Sequence, residues 1–457
     1  MEPTLPDHQA SSRVSSYVGM AELTSGNSVV WSGLTGFVGI LPPYMARKLK
    51  IGTITKSDDL YAALNAEGLF CDGPEDDALI DILESLAVYG RRPTHYRLVM
   101  TGSCDLTCSY CIQAKLRKSM DNRINTRVIG DLVRYVEFHS QDGPVEILLM
   151  GGEPLIDVPL AVATIRGLAF AFTKNGRITP RFKLLTNGLN LSDFVRLIGS
   201  DASIISSIQV SVDQDRETHD AAKKDRDGKP TYDRVILGVR EAIRARMNTT
   251  LRLNIHQPEK VEQILQTCSE LYDDLGVKNF LIYPALVIQR PLAKHRRNWS
   301  IEKASSSFSR FLIEFFCWFE RKTGQIHPRH LPPARWINCL PKLGPASMLG
   351  ARGEVYSCTY SSAKSPNIDD ELNKSQAFPL SREKCTALAQ EVWNDTCRKC
   401  KFVAFCTGSC SVKTAAGQQF TADCESWPER LRTYGEIIEK RISPEACLSL
   451  ADPAENC

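Results

Sequence analysis

The sequence predicts an α/β protein on a parallel sheet, either doubly wound or curled into a partial barrel, and three observations carry that expectation. From about Pro93 onward, short apolar runs alternate with segments of helical spacing. The runs are rich in β-branched and large residues, as strands require. A cysteine triplet follows the first run directly, beyond the carboxyl end of a strand, where α/β folds gather their reactive groups.

The candidate strands are Tyr96–Thr101, Val145–Met150, Phe182–Thr186, Ile204–Asp213, Thr250–His256 and Asn279–Ala285. Between them Thr126–His139, Leu160–Thr173, Tyr232–Arg246 and Val261–Leu275 have helical spacing. Repeated strand-then-helix units call for parallel strands joined by right-handed crossovers. The region before Pro93 differs. Ser28–Trp31 and Phe37–Leu41 are short and apolar, and Ser57–Glu67 and Glu75–Ala87 read as helices. This reads as a small α+β domain, either winged-helix-like, in which case it resembles known peptide-binding domains, or a simple cap packed over the barrel. Further on, Ser300–Lys322 carries Phe308, Phe311, Phe315, Phe316 and Trp318 at helical spacing, an aromatic stripe suited to a core.

The chemistry lies in the cysteines. Cys104, Cys108 and Cys111 stand in TGSCDLTCSYC, a CxxxCxxC triplet. A cubane iron–sulfur cluster usually takes four thiolates, so a site supplying three leaves one iron open to a small molecule. A zinc site is the plainer alternative. Met150-Gly151-Gly152-Glu153-Pro154 closes the second strand, its glycines permitting close backbone approach and Glu153 offering a charged acceptor. The third strand ends in Leu185-Thr186-Asn187-Gly188, and the fourth runs through Ser211 to Asp213, ahead of Thr218-His219-Asp220. His219 alone reads as a cap or a satisfied histidine.

Together these motifs resemble the radical S-adenosylmethionine (SAM) enzymes, Tyr110 occupying the aromatic position before the last cysteine. The resemblance implies a partial (β/α)6 TIM-like barrel, a [4Fe–4S] cluster on Cys104, Cys108 and Cys111, and reductive cleavage of SAM to a 5′-deoxyadenosyl radical. It implies SAM contacts from Gly151, Gly152, Glu153, Pro154, Asn187, Ser211 and Asp213. Gln214 stands where the family has glycine, and Lys223 where arginine is common.

A second cysteine field follows. Cys339 precedes Gly353 and Cys358, and further on come Cys397, Cys400, Cys406, Cys410 and Cys424. The spacing resembles the SPASM extension, which implies two auxiliary [4Fe–4S] clusters. Cys339, Cys358 and Cys410 would serve the first, Cys397, Cys400, Cys406 and Cys424 the second. Either Cys385 or Cys317 completes the first, or one iron stays open. The expected organisation is residues 1–93 as the N-terminal domain, 94–290 as the barrel, 291–330 as a bridging helix, 331–435 as the SPASM domain and 436–457 as a tail.

With 24% charged residues and a net charge of +3, the chain gives no electrostatic case for nucleic acid. No basic and apolar leader opens it and no stretch reads as a membrane span, so a cytoplasmic protein with no membrane partner is expected. Its sixteen cysteines then point to metal rather than disulfides.

SPASM relatives imply a precursor-peptide substrate, an oxidative thioether or carbon–carbon crosslink, and an electron donor such as flavodoxin or ferredoxin. Epimerisation and small-molecule dehydrogenation are the alternatives. Formylglycine formation is disfavoured because Thr359-Tyr360 follows Cys358, where that branch has an aspartate. A metal-stabilised binding module without turnover ranks last. No residue is singled out as the general base.

Overall fold

The computed structural model describes residues 13–58, 60–71, 95–111, 123–140, 142–276, 280–287, 301–331, 348–356, 364–365, 399–406 and 421–441. The chain divides into two compact units. One comprises Met1–Gly90, Phe316–Lys342 and Ser381–Cys457, the other Arg91–Phe315 and Leu343–Leu380.

In the first unit β1 (Arg13–Val14) pairs with β5 (Phe70–Cys71), and β2 (Val18–Glu22), β3 (Ser28–Ser32) and β4 (Val38–Leu41) form an antiparallel meander. Helix α1 (Pro43–Ile51) starts on a proline and stops at Gly52 in the left-handed conformation; α2 (Tyr61–Ala66) follows. Strand side chains alternate between two apolar cores, as a period of two dictates. Val30 packs with Met45, Leu49 and Leu64, while Val29 and Trp31 pack with Trp427, Leu431 and Ile438. Those last three lie on the helix Thr421–Glu439, so the C-terminal segment covers the second face of an N-terminal sheet. Each such side chain, fully buried, contributes about 1.5–3 kcal/mol. The hairpin turn is tied to the same helix, because Thr24 donates to Glu436 through N and Oγ1 at 2.7 Å each. Linear domain boundaries at 93 and 435 do not capture this exchange. A three-stranded sheet that is apolar on both faces needs cover on both. The helix expected over Glu75–Ala87 lies outside the described residues.

The second unit alternates strand and helix: β6 (His95–Val99), α3 (Thr126–His139), β7 (Gly143–Met150), α4 (Val158–Asn175), β8 (Ile178–Thr186), α5 (Leu191–Ile198), β9 (Ile205–Asp213), α6 (Arg216–Ala222), α7 (Tyr232–Arg244), β10 (Thr249–Ile255), α8 (Val261–Leu275) and β11 (Phe280–Leu286). All six strands run parallel, each beside its sequence neighbours, from β6 to β11. A doubly wound sheet reverses its strand order at a switch point. This order never reverses, so the fold is the partial (β/α)6 barrel. Beyond β6 a seventh parallel strand, β12 (Met348–Leu349), begins an edge continued by β13 (Val355–Tyr356) and β14 (Lys364–Ser365).

Helix α3 opens on Asn125, whose Oδ1 accepts from Val128 N at 3.1 Å. Helix α4 opens on Asp157, whose Oδ1 accepts from Leu160 N, and ends at Gly176 in the left-handed conformation. The segment Pro154–Lys174, with mean hydropathy 1.7, is long and apolar enough to cross a membrane by composition. In the fold it packs on β8, α3 and α5, with Val162, Ile165, Leu168 and Phe172 buried, and so serves as a crossover helix. The aromatic helix runs over Ile301–Thr323. Phe311, Phe315 and Phe316 are buried in it, and Phe308 and Trp318 half-buried.

Candidate active site

The carboxyl ends of the barrel strands bring the sequence motifs together. The cysteine loop leaves β6 and is zipped to the end of β7: Gly152 N donates to Thr101 O at 2.8 Å and Glu153 N to Ser103 O at 2.9 Å. This contact is why both glycines are required. A Cβ on Gly151, which sits at φ 153°, would lie 2.3 Å from Thr101 O, and one on Gly152 2.3 Å from Ser103 O. Their small size thus serves the cysteine loop directly. Pro154 is buried and opens the turn Pro154–Asp157.

Glu153 is 1% exposed and accepts three hydrogen bonds. Oε1 takes Leu155 N at 2.9 Å and Thr186 Oγ1 at 2.6 Å, while Oε2 takes Asn187 N at 2.7 Å. Burial, and then the charge of Asp105, push its carboxyl up to about 7 against those donors. Asn187 reaches the other way, its Nδ2 donating to Asp105 Oδ1 at 2.7 Å and approaching Cys104 Sγ at 3.8 Å. Asn190 Nδ2 donates to Asp105 Oδ2 at 2.8 Å. Three strand ends are therefore locked into one network. Sequence reading missed Asp105 and Asn190, although the polar residue beside Cys104 was a signal.

Cys104 is buried, Cys108 and Cys111 are half-buried, and Cys104 and Cys108 pack with Leu106 and Leu189. Cys104 Sγ lies 3.4 Å from Leu106 N, and Arg226 donates twice to Cys104 O, at 3.2 and 2.9 Å. Among the described residues no three Cys, His, Asp or Glu side chains are already drawn together at metal range. The donor set nevertheless suits a cluster: three thiols on one short loop, with N–H groups directed at the buried sulfur. Binding would draw the sulfurs in.

The ends of β9 and β10 form the other half of the site. Asp213 is fully buried, and its Oδ1 accepts from Tyr110 Oη at 2.6 Å and Asn254 Nδ2 at 3.0 Å. Lys223, 2% exposed, sits 3.9 Å away and donates to Ser211 O; His256 Nε2 is at 3.5 Å. Burial would raise the Asp213 carboxyl, but Lys223, His256 and Tyr110 outweigh it and hold it at about 2. Burial, then the Asp213 charge, drive the Tyr110 phenol far up, so it serves as a donor. Asp213 Oδ2 and His256 Nε2 are buried without a hydrogen-bond partner among the described residues. Two orphaned polar atoms beside half-buried Ser211 suit a polar ligand such as SAM.

Gln214, in place of the family's glycine, has a local role: its Oε1 accepts from His256 N and Gln257 N at 2.8 and 2.9 Å and fixes the end of β10. His219 is buried and satisfied, with Nδ1 accepting from Asp213 N and Nε2 on Thr231 Oγ1. Burial, then Lys223, lower it to about 4, so it is neutral. Asn254 and His256 carried no motif, Lys223 stood out only where the family commonly has arginine, and only the fold gathers the three.

In the second cysteine field, Cys339, Cys358, Cys385, Cys397 and Cys410 lie outside the described residues. Cys400 is half-buried just ahead of the short helix Val403–Cys406, and Cys424 falls within Thr421–Glu439. Cys317, half-buried, lies on Ile301–Thr323.

Residues 98–271 match the radical SAM superfamily. Among curated proteins, the chain is 29% identical over 179 residues to the GTP 3',8-cyclase of Paenarthrobacter nicotinovorans, covering 37% of this chain and 46% of that one. It is 26% identical over 233 residues to the GTP 3',8-cyclase of Mycolicibacterium smegmatis, covering 50% and 56%. The chain thus spans about half the length of these relatives. Among solved structures, native anSMEcpe with bound AdoMet and Kp18Cys peptide superposes with a TM-score of 0.59 at 17% identity, over 77% of this chain and all of that one. The same protein with AdoMet alone gives 0.56 over 76% and 99%. At such identity the likeness speaks for the fold. From the first barrel strand to the helix after the fifth, the chain carries the domain of the radical SAM enzymes.

Proposed function

We propose that this protein is a radical SAM peptide maturase that forms an oxidative thioether or carbon–carbon crosslink in a precursor peptide. The observation that carries the reading is the meeting of the cysteine loop, the Gly-Gly-Glu-Pro turn and the orphaned Asp213–His256 pair at one end of the barrel. When bound, a [4Fe–4S] cluster on Cys104, Cys108 and Cys111 would supply the electron for reductive cleavage of SAM; of the two hydrogens a crosslinked peptide loses, one would leave in deoxyadenosine and the other as a proton and an electron taken up by an auxiliary cluster.

The chain's own residues do the rest. Gly151 and Gly152 let the turn lie against the cysteine loop, and Glu153 and Asn187 hold the ends of β7 and β8 to it. Asp213 and His256 offer polar atoms to SAM, with Ser211 beside them. Two auxiliary [4Fe–4S] clusters on the second cysteine field, an electron donor such as flavodoxin or ferredoxin, peptide recognition by residues 1–93 and a cytoplasmic location complete the proposal. The likeness to a structure holding both AdoMet and a peptide, extending well past the barrel, supports a peptide over a nucleotide.

The test is to incubate anaerobically reconstituted, reduced protein with SAM and candidate peptides encoded beside it. Deoxyadenosine and a loss of about two daltons per crosslink are expected. Deuterium gain in deuterated water would instead identify an epimerase. Changing Cys104, Cys108 and Cys111 all to Ala should remove one cluster's worth of iron and leave that of the auxiliary clusters; an iron content equal to wild type would overturn the assignment of the cluster.

A further inference from the structure

We propose that Asp105 holds the reduction potential of the cluster on Cys104, Cys108 and Cys111 low, acting as a positioning residue through Cys104 and Asn187; this rests on the cluster assignment above. Its Oδ1 lies 3.9 Å from Cys104 Sγ. Each of its oxygens already accepts from an amide, Asn187 at 2.7 Å and Asn190 at 2.8 Å, so the carboxylate is fixed beside the sulfur.

Two effects follow, and both have the same sign. Reduction adds an electron to the cluster, and a fixed negative charge next to one ligand opposes it. Hydrogen bonds to cluster sulfurs raise the potential by spreading that added charge. Asn187 Nδ2 is shared between Asp105 at 2.7 Å and Cys104 Sγ at 3.8 Å, so Asp105 takes the stronger half of a donor that would otherwise serve the sulfur. Leu106 N approaches the same sulfur at 3.4 Å. A low potential is what the chemistry needs, since a strongly reducing cluster is a better one-electron donor to a sulfonium.

The measurement is a redox titration of the reconstituted full-length protein followed by electron paramagnetic resonance, for wild type, Asp105→Asn and Asp105→Glu. Asp105→Asn removes the charge at constant shape and should raise the reduced-to-oxidised ratio at fixed potential about tenfold, a shift of about 59 mV for one electron. Asp105→Glu keeps the charge and should restore most of the wild-type value, which a merely structural role would not predict. An unmoved midpoint in Asp105→Asn at wild-type iron and sulfide content overturns the proposal and leaves the functional reading intact. Should that variant fail to load iron, Asn187→Ala decides. Loss of the shared donor should lower the midpoint, and a midpoint at or above wild type overturns the proposal. A wild-type protein that forms no cluster overturns the functional reading, and this proposal with it.

Discussion

The two halves of the barrel mouth are finished to different degrees. At the ends of β6, β7 and β8 the carboxylates of Asp105 and Glu153 accept on both oxygens from groups within the chain. At the ends of β9 and β10, Asp213 has one satisfied oxygen and one without a hydrogen-bond partner among the described residues, and His256 Nε2, 3.5 Å from the satisfied oxygen, likewise has no hydrogen bond there. Buried polar atoms rarely go unpaired, and those that do mark a strained or ligand-directed site. The first half is therefore built as a frame for the cysteine loop and the second as a receptor.

The sharpest way to break this contrast is at Asp213, the charged centre of the receptor half. Asp213→Ala would leave Lys223 buried with a backbone carbonyl in place of its counter-ion, and would free Tyr110 and Asn254. Removing one partner of such a buried pair costs about 3–5 kcal/mol. Chemical denaturation should show a loss of that size, whereas Asp213→Asn, which keeps the shape, should lose less stability. The Asn variant should instead lose the thermal protection that SAM gives the wild type. If SAM protects both equally, Asp213 is part of the frame and the comparison fails.

The second test uses acid. The folded value of His219 is about 4, below its ordinary 6.5, because the ring is buried and lies near Lys223. Between those values the unfolded chain binds the extra proton, so stability rises with pH. The contribution is fully present above 6.5 and is lost as pH falls toward 4, about 3 kcal/mol in all. His219→Gln should flatten that slope relative to wild type in denaturation curves from pH 4 to 7. An unchanged slope would mean that another group carries it.

Legibility followed sequence distance. Helices α3 and α8 run over Thr126–His139 and Val261–Leu275, the ranges their apolar periodicity marks, because about four turns leave a clear 3.6-residue signal. Helices α5 and α6, of eight and seven residues, are too short to leave one. Most of the frame half was legible for the same reason, being written in contiguous runs such as Cys104–Cys111 and Gly151–Pro154, although Asp105 and Asn190 went unread. The receptor half was legible only in part, since Tyr110, Ser211 and Asp213 fall in motifs but Asn254 and His256 do not. Tyr110, Asp213, Lys223, Asn254 and His256 are up to about 150 residues apart and meet only because successive parallel strands end at one level. Gln214 stood out in sequence only as a departure, and its bonds to two backbone amides required the end of β10 to be in place.

The smallest expected effect lies in the frame. Glu153→Gln replaces two acceptor oxygens by one, yet three donors point at them: Leu155 N, Thr186 Oγ1 and Asn187 N. If the amide oxygen takes the Leu155 and Thr186 bonds, the amide NH2 must face Asn187 N–H. One buried donor then goes unmet, at about 1–3 kcal/mol. The deficit should depend on pH with a sign opposite to that of His219. The Glu153 carboxyl is raised to about 7 by burial and Asp105, so between 4.5 and 7 the folded protein holds a proton that the unfolded chain has released. Wild-type stability from this group therefore falls as pH rises through that window. The variant has no such slope, and its deficit should shrink from pH 4.5 to pH 7. A deficit that grows instead would show Glu153 ionised throughout, held by its three donors, and would make the frame a charged element like the receptor opposite it.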